Sequence, residues 1–377
     1  MLLKCLGFCR SEHTSASRRQ RQYPTVIEEL CHQFSLDDLR KSTNNFDENK
    51  ILGRGDYCTV YKGCLQHNGA TDYTVALKRM CEGTGPVCQQ FKKEIELLCQ
   101  LHHPNLMPLI GFCNNKDEKI IVYDYMPNGS FDDRLRQRNG DKIPLSWKKR
   151  LEICIGISSG VHYLHTGAKR TIIHRDIKPS NILLDSNMIP KLTYFSLYLQ
   201  GPLFSSKPKL IKTEQVAGTI GFLAPENFSK PMPDLTDRSD VYSFGAFLLE
   251  VVCRESYTKI LREMRELPSE ELDMPIISDG ARVPNIMQGL TVEQIIDPTI
   301  AGKIAPDCWE VFIDIIDRCL KHEPSERPAM GEVEVELEHA LSLQQEADAN
   351  NTSGEYSFLS TSITQPQQLQ EEAPISA

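Results

Sequence analysis

Residues 171–199, TIIHRDIKPSNILLDSNMIPKLTYFSLYL, decide how the rest of the chain is organised. The stretch contains a polar run, HRDIKPSN at 174–181, with apolar residues at 172–173 before it and at 182–184 after it. Short apolar runs that flank polar turn residues are typical of short strands. The pattern therefore predicts a polar loop held between two strands.

Three side chains of that loop carry complementary chemistry. Asp176 can accept a proton from a substrate hydroxyl, Lys178 can sit against a transferred phosphate, and Asn181 can ligate Mg²⁺ through its amide oxygen. Their spacing fits H-R-D-x-x-x-x-N, the catalytic-loop pattern of protein kinases. We predict that these three residues are catalytic and that Asn181 is also the metal ligand.

The second half of the stretch departs from the same pattern. A kinase places Asp-Phe-Gly here, and its Asp supplies the other metal ligand. This chain has Tyr194, Phe195 and Ser196 instead. A tyrosine is neutral near pH 7 and bulky, so it neither replaces the carboxylate nor leaves its space free. The sequence predicts a damaged metal site.

Composition excludes several other classes of protein. The chain has 377 residues, 40% hydrophobic and 25% charged, which is ordinary for a globular protein. Its net charge of −9 disfavours general binding to nucleic acid, and we predict no nucleic-acid partner. The thirteen cysteines form no CxxC pair or metal-spaced cluster, so we interpret them as reduced, mostly buried cytosolic thiols. No apolar stretch approaches the ~20 residues of a membrane span, and no secretory signal is present.

The first 33 residues form a predicted flexible segment with the features of a membrane anchor. Cys5 and Cys9 lie in a short apolar stretch, near basic residues at positions 4, 10, 18, 19 and 21. Acyl chains and basic charge together hold a protein on a membrane. Leu2 excludes N-myristoylation, which requires glycine. We expect a cytoplasmic protein that acylation of both cysteines attaches to the membrane; the alternative is a plain disordered tail.

A nucleotide pocket is predicted upstream of the loop. Residues 51–63, ILGRGDYCTVYKG, match two of the three glycines of G-x-G-x-x-G-x-V, and Cys58 takes the third place. Glycines let backbone N–H groups approach phosphates closely. The next strand ends in a V-A-I-K pattern at Lys78. A plain hairpin and an exposed strand lysine are the alternatives. The predicted cofactor-binding residues are Leu52, Gly53, Gly55, Val60, Ala76, Lys78, Glu94, Asp124 and Met126.

The predicted helix over residues 91–101 supplies the partner of Lys78. Glu94 is the natural ion-pair partner, and Glu96 is the competing choice. Strands are predicted at 106–111 and 119–125, and then a turn-rich connection at 124–129 that indicates a hinge whose backbone would bind adenine. Tyr123 is expected to close the back of the pocket.

The segment after Ser196, residues 197–216, is a candidate activation loop, and the run from Gly218 to Glu226 closes it with Ala-Pro-Glu. Ser205, Ser206 and Thr213 are its candidate phosphorylation sites, and an unmodified surface loop is the alternative. Arg175 is of the kind that pairs with an activation-loop phosphate. If Glu226 is buried it requires a cation, for which Arg327 is the candidate.

Residues 34–345 resemble protein kinases, and within them the plant receptor-like kinases of the Pelle group. The resemblance is to the FERONIA-type branch. It is carried by FSLDDLRKSTNNF at 34–46, LHHPNL at 101–106, LSWKKRLEICIGISSGVHYLHTGAKRTIIHRD at 145–176, TVEQIIDP at 291–298 and the run at 319–328.

The resemblance implies an α+β, two-lobed kinase fold with a β-rich lobe at 46–125 and a helical lobe at 129–345, followed by a disordered tail at 346–377. It also implies ATP and Mg²⁺ as cofactors, Ser/Thr phosphorylation, and work at the plasma membrane beside receptor-like kinases as partners. The chain is identified as a cytoplasmic member without ectodomain or membrane span. Because Tyr194 replaces the metal-binding Asp, we favour a pseudokinase with weak or absent metal binding. An active Ser/Thr kinase is the alternative, and an unrelated globular protein is a third.

Overall fold

The computed structural model describes residues 31–55, 57–67, 70–80, 85–116, 118–138, 143–203, 210–229, 232–255, 259, 296–351 and 355–356. Four residues for which the sequence predicts modification lie outside these ranges, namely Cys5, Cys9, Ser205 and Ser206. Acylation and activation-loop phosphorylation at these positions therefore stay predictions.

A six-stranded sheet forms the smaller lobe. Its strands are β1 (His32–Gln33), β2 (Ile51–Gly55), β3 (Cys58–His67), β4 (Ala70–Met80), β5 (Leu109–Asn114) and β6 (Lys119–Asp124). Their order across the sheet is β1-β5-β6-β4-β3-β2, and every pair is antiparallel except β1 with β5. Helix α2 (Gly85–Leu98) packs against this sheet through its apolar side.

The segment before residue 46 belongs to the smaller lobe. Helix α1 (Leu36–Ser42) begins where predicted, because the Ser35 hydroxyl caps it by accepting the backbone N–H of Asp38 at 3.1 Å. Leu39 is fully buried in a separate apolar cluster with residues of β3, β4 and β6. Residues before position 46 thus pack on the sheet of the smaller lobe.

Helices dominate the larger lobe. In chain order they are α3 (Phe131–Leu135), α4 (Trp147–His162), α5 (Arg238–Cys253), α6 (Pro306–Cys319) and α7 (Met330–Asn350). Helix α5 is buried along nearly its whole length; α4 and α6 pack against it, and α7 packs against α4 and α6. A helix that is apolar all round belongs in a core, which fits the sequence of α5.

Short strand pairs surround the polar loop at 174–181. They are β7 (Arg170–Ile173) with β10 (Leu199–Leu203), β8 (Ile182–Leu184) with β9 (Pro190–Leu192), and β11 (Ile211–Lys212) with β12 (Asp234–Leu235). The two strands predicted around the loop are β7 and β8. The predicted α+β architecture, with a β-rich lobe and a helical lobe, is confirmed.

Some element boundaries differ from the prediction. The strand predicted at 106–111 begins at Leu109, because Pro108 has no N–H to donate to a ladder. Helix α2 begins at Gly85 instead of 91, with Pro86 at a helix start, where its missing N–H costs nothing. Helix α7 continues to Asn350, past the expected domain boundary at 345. Two short strands, β10 and β11, lie within the expected activation loop.

Of the ten cysteines that the structure describes, five are buried and five are half-buried. Fewer of these cysteines are buried than the sequence predicted. Among the residues that the structure describes, no helix is both long and apolar enough to cross a membrane.

Candidate active site

Strand register brings the predicted nucleotide residues into one row across the sheet. Gly53 on β2 pairs with Val60 on β3, and Val60 pairs with Lys78 on β4. A Cβ added at Gly53 would meet no atom within 4 Å, so the backbone there borders open space. A Cβ added at Gly55 would lie 3.6 Å from the Cys58 thiol. Cys58, which takes the place of the third glycine, therefore leaves less space at this end of the hairpin.

The residues predicted to contact adenine lie where the two lobes meet. Ala76 pairs with Tyr123 across β4 and β6, and Met126 follows β6 and is buried in the same apolar cluster as Ala76. The Tyr73 hydroxyl donates to the Asp124 carboxylate at 2.9 Å. Leu52 is exposed at the free edge of the sheet.

The predicted ion pair between Lys78 and Glu94 is present. The ammonium of Lys78 lies 2.7 Å from one Glu94 oxygen and 2.9 Å from the other, and both side chains are buried. Glu96, the competing choice, is exposed, because it lies on the opposite side of α2 from the buried Phe91 and Ile95.

Tyr123 completes this buried group, since its hydroxyl donates to Glu94 at 2.5 Å. Burial, together with the charge of Glu94 and the hydrogen bond to it, raises the pKa of Tyr123 well above its usual value. The hydroxyl therefore keeps its proton and remains a donor. This fits the expectation that Tyr123 closes the back of the pocket.

The three predicted catalytic residues of the loop converge. Asp176 accepts hydrogen bonds from Asn181 Nδ2 at 2.6 Å and from Thr219 Oγ1 at 2.6 Å. The Lys178 ammonium lies 3.2 Å from the Asp176 carboxylate and donates to Thr219 at 2.5 Å. Both carboxylate oxygens thus have donors, which fixes the orientation of Asp176.

Asp240 on α5 positions the beginning of the loop. Its carboxylate accepts the backbone N–H groups of His174 at 2.7 Å and Arg175 at 2.8 Å, and it contacts His165 Nε2 at 3.0 Å. Burial alone would raise the pKa of Asp240, but the hydrogen bond and charge of His165, with further donors, bring it below its usual range. An ionised Asp240 is the state that accepts these bonds.

His174 is held neutral beneath the loop. Burial lowers its pKa. Its Nε2 donates to the Thr193 carbonyl at 2.9 Å, and its Nδ1 accepts the Asp176 N–H at 3.2 Å. The ring of Phe195 meets it edge-on, with centroids 5.1 Å apart. These contacts connect the catalytic loop to the Tyr194-Phe195-Ser196 segment.

Tyr194 occupies the position of the expected metal-binding carboxylate. Its φ of +69° lies in the left-handed region, which is costly for a bulky residue. Its ring lies near Lys78, with the ammonium 5.6 Å from the ring centroid. Phe195 is buried, and the Ser196 hydroxyl lies 3.3 Å from both Lys78 and Glu94.

The donor set does not fit a kinase metal ion. Mg²⁺ prefers carboxylate oxygens, and of the two ligands in the kinase pattern this chain keeps the Asn181 amide oxygen. The Nδ2 of the same amide donates to the carbonyl and the carboxylate of Asp176. Within the part of the chain that the structure describes, no group of three or more His, Cys, Asp or Glu could hold a metal ion. We therefore assign no step of a reaction to a metal here.

Arg175 holds the activation segment through main-chain oxygens. Its guanidinium donates to the Gln215 carbonyl at 2.7 Å and contacts the Leu197 carbonyl at 3.5 Å. Thr213, a candidate phosphorylation site, is buried, and its hydroxyl donates to the same Gln215 carbonyl at 3.1 Å. In this conformation another kinase could not reach that hydroxyl.

The predicted pair of Glu226 and Arg327 is also present. The Arg327 guanidinium forms two parallel hydrogen bonds of 2.8 Å to the Glu226 carboxylate, and Ser239 donates a third at 2.7 Å. Arg327 is 3% exposed, so the pair is shielded from solvent. It joins the end of the activation segment to the helical lobe.

Sequence reasoning assigned no site role to Thr219 or Asp240. Thr219 lies 43 positions after Asp176 and Asp240 lies 66 after His174. The sequence signals were that Thr219 precedes the Ala-Pro-Glu motif and that Asp240 is one of two acidic residues in a largely apolar helix.

Comparison with known proteins agrees with this geometry. Residues 46–337 match the family described as protein tyrosine and serine/threonine kinase. Three receptor-like protein kinases of Arabidopsis thaliana are similar: ANXUR2 (41% identity, 85% of this chain, 35% of its own length), FERONIA (39%, 85% and 34%) and THESEUS 1 (40%, 84% and 34%). The chain thus spans about a third of the length of these relatives. It belongs to the protein tyrosine and serine/threonine kinase family, and over most of its length it is similar to FERONIA and other receptor-like kinases.

Proposed function

We propose that the protein is a pseudokinase, a signalling module that keeps the kinase fold and transfers phosphate poorly or not at all. The observation that carries the proposal is Tyr194 in the place of the metal-binding carboxylate. Kinases of this family in general use ATP with Mg²⁺, whose charge neutralises the phosphates during transfer. Without that carboxylate, Asn181 alone would hold the metal weakly.

An active Ser/Thr kinase is the second candidate, and the catalytic loop favours it. Asp176 is oriented by Asn181 and Thr219, and Lys178 lies beside it. Lys78 and Glu94 are paired. These residues have the arrangement that phosphate transfer would need, so the two candidates differ chiefly in the metal site.

The first prediction concerns nucleotide binding. We expect ATP to bind weakly and its effect on the melting temperature to be largely insensitive to Mg²⁺, because the adenine contacts are retained and the metal-mediated phosphate contacts are lost. The measurement is a thermal-shift titration with ATP, with and without Mg²⁺. A large Mg²⁺-dependent stabilisation of the wild type would mean that another residue supplies the ligand, and the active-kinase candidate would then lead.

We further propose that the protein acts at the plasma membrane, where receptor-like kinases are its partners. The similarity to FERONIA and its relatives supports the class of partner. Support for the location comes from Cys5 and Cys9 with their basic neighbours, in the segment outside the described residues. Two acyl chains give a firmer attachment than one, since each buried CH₂ contributes about 0.8 kcal/mol.

The second prediction tests this attachment. A Cys5→Ser, Cys9→Ser double variant of the full chain should move from the membrane fraction to the soluble fraction of plant cells, because the acyl chains can no longer form. Replacement of the half-buried Cys64 and Cys88 by serine provides a control of the same chemistry, and that variant should fractionate like wild type. If the Cys5, Cys9 variant remained on the membrane, protein partners would be holding the chain there.

A further inference from the structure

The Lys78 ammonium is enclosed by groups of this chain alone. Glu94 contributes both carboxylate oxygens, Ser196 a hydroxyl at 3.3 Å, and Tyr194 an aromatic ring 5.6 Å away. The lysine is 7% exposed. A buried ammonium needs such partners, because its desolvation would otherwise be very costly.

Ser196 bridges the two members of the ion pair. Its hydroxyl accepts a hydrogen bond from Lys78 and donates one to Glu94 Oε2, each at 3.3 Å. One side chain thereby connects β4, helix α2 and the segment that follows the catalytic loop. The glycine that stands here in the kinase pattern has no side chain and can make neither bond.

Tyr194 adds the outer side of the enclosure. The backbone of Tyr194 is left-handed, with φ of +69°. The residue is 37% exposed, and its ring lies near the Lys78 ammonium. A cation within about 6 Å of an aromatic centroid is attracted by the ring. In this chain, therefore, the backbone conformation at 194 supports an aromatic contact to Lys78.

We propose that Ser196 and Tyr194 are positioning residues that hold the Lys78–Glu94 pair, and with it helix α2, in the assembled arrangement without nucleotide or metal. Tyr194 and Ser196 stand where the kinase pattern has its metal-binding Asp and Gly. In this proposal they take over part of the role that a bound metal would have in holding the Lys78–Glu94 pair. A partner that contacts helix α2 meets the same surface whether or not ATP is present. The proposal goes beyond the pseudokinase assignment, because it concerns the position of helix α2 and holds at any level of transfer activity.

The test is the chemical reactivity of Lys78 in the purified full chain, without nucleotide or metal. Reductive methylation by formaldehyde and a borohydride is followed by mass spectrometry of the peptide that contains Lys78. Ser196→Gly and Tyr194→Leu should each raise the methylation rate about threefold or more, because each removes a partner that keeps the ammonium enclosed. Tyr194→Phe keeps the ring and should react like wild type, as should Ser186→Gly, the same change at an exposed turn residue.

Hydrogen exchange distinguishes positioning from general loosening of the lobe. In Ser196→Gly the amides of helix α2 should exchange faster, while those of β3 and β4 keep their wild-type rates. Three results would overturn the proposal: an unchanged Lys78 rate in Ser196→Gly, a Tyr194→Phe variant as reactive as Tyr194→Leu, or equal acceleration across β3, β4 and α2. Because no nucleotide is present, these outcomes are independent of the thermal-shift result for ATP.

Discussion

A Tyr194→Asp, Ser196→Gly double variant is expected to transfer phosphate from ATP in a Mg²⁺-dependent reaction, at least about 10²-fold faster than wild type. The estimate is the usual effect on rate of one preorganised electrostatic element. Asp176, Lys178 and Asn181 are already assembled beside the exchanged position. The missing component is the carboxylate that, with Asn181, would hold the metal against the phosphates.

The backbone should accept this exchange. Tyr194 has a left-handed conformation, which aspartate adopts several times more readily than a bulky aromatic residue. Glycine at 196 removes a hydroxyl and introduces no atoms. We therefore expect the variant to fold, with a somewhat lower melting temperature than wild type, because the Ser196 hydroxyl that bridges Lys78 and Glu94 is lost.

Radiolabelled phosphate transfer by the purified proteins, with Mg²⁺, Mn²⁺ or no metal, measures the effect. A triple variant that also carries Asp176→Asn is the matched control, and it should lose the gained activity because the residue that accepts the substrate proton is removed. Transfer by wild type equal to that of the double variant would contradict the pseudokinase assignment. An inactive, folded double variant would mean that the carboxylate is not the only missing component.

Arg327→Ala is expected to lower the free energy of unfolding by about 3–5 kcal/mol, the second large effect. Removal of one partner from a buried ion pair leaves an uncompensated charge, and this is the usual cost. Arg327 also donates to three backbone carbonyls, those of Arg238, Lys321 and His322. Chemical denaturation at neutral pH measures the change.

A matched double variant, Glu226→Gln with Arg327→Met, separates the loss of the pair from the loss of packing. Because a buried pair can often be replaced by uncharged groups at little cost, this variant should be more stable than Arg327→Ala. If it were equally unstable, the backbone contacts of the guanidinium would account for the effect and the ion pair would contribute little.

The same pair predicts how stability changes with pH. Burial alone would raise the pKa of Glu226, but the hydrogen bonds and charge of Arg327 outweigh it and hold the pKa below its usual range. A depressed carboxyl pKa stabilises the folded state above the unfolded pKa of about 4.3, and this contribution is lost as the pH falls through the lower folded pKa. The stability difference between wild type and Arg327→Ala should therefore shrink below about pH 4.

The sequence alone identified the features that depend on short spacing along the chain. The catalytic loop at 174–181, the capped helix after Ser35 and the strand that carries Lys78 could each be predicted because a few neighbouring residues fix their local conformation. The damaged metal site was readable for the same reason, since Tyr194 stands at a fixed distance from Asp176. Pairing over longer distances was inferred only where a motif named both partners, as for Glu226 with Arg327.

The tertiary structure decided which distant groups complete the site. Thr219 and Asp240 bond to the catalytic loop from more than 40 positions away, and no periodicity links such residues. Ser196 looked from the sequence like a lost glycine, and only the approach of β4 and α2 made its hydroxyl a bridge between Lys78 and Glu94. Local conformation follows from neighbouring residues, but the partner of a buried polar group depends on which elements the whole fold brings together.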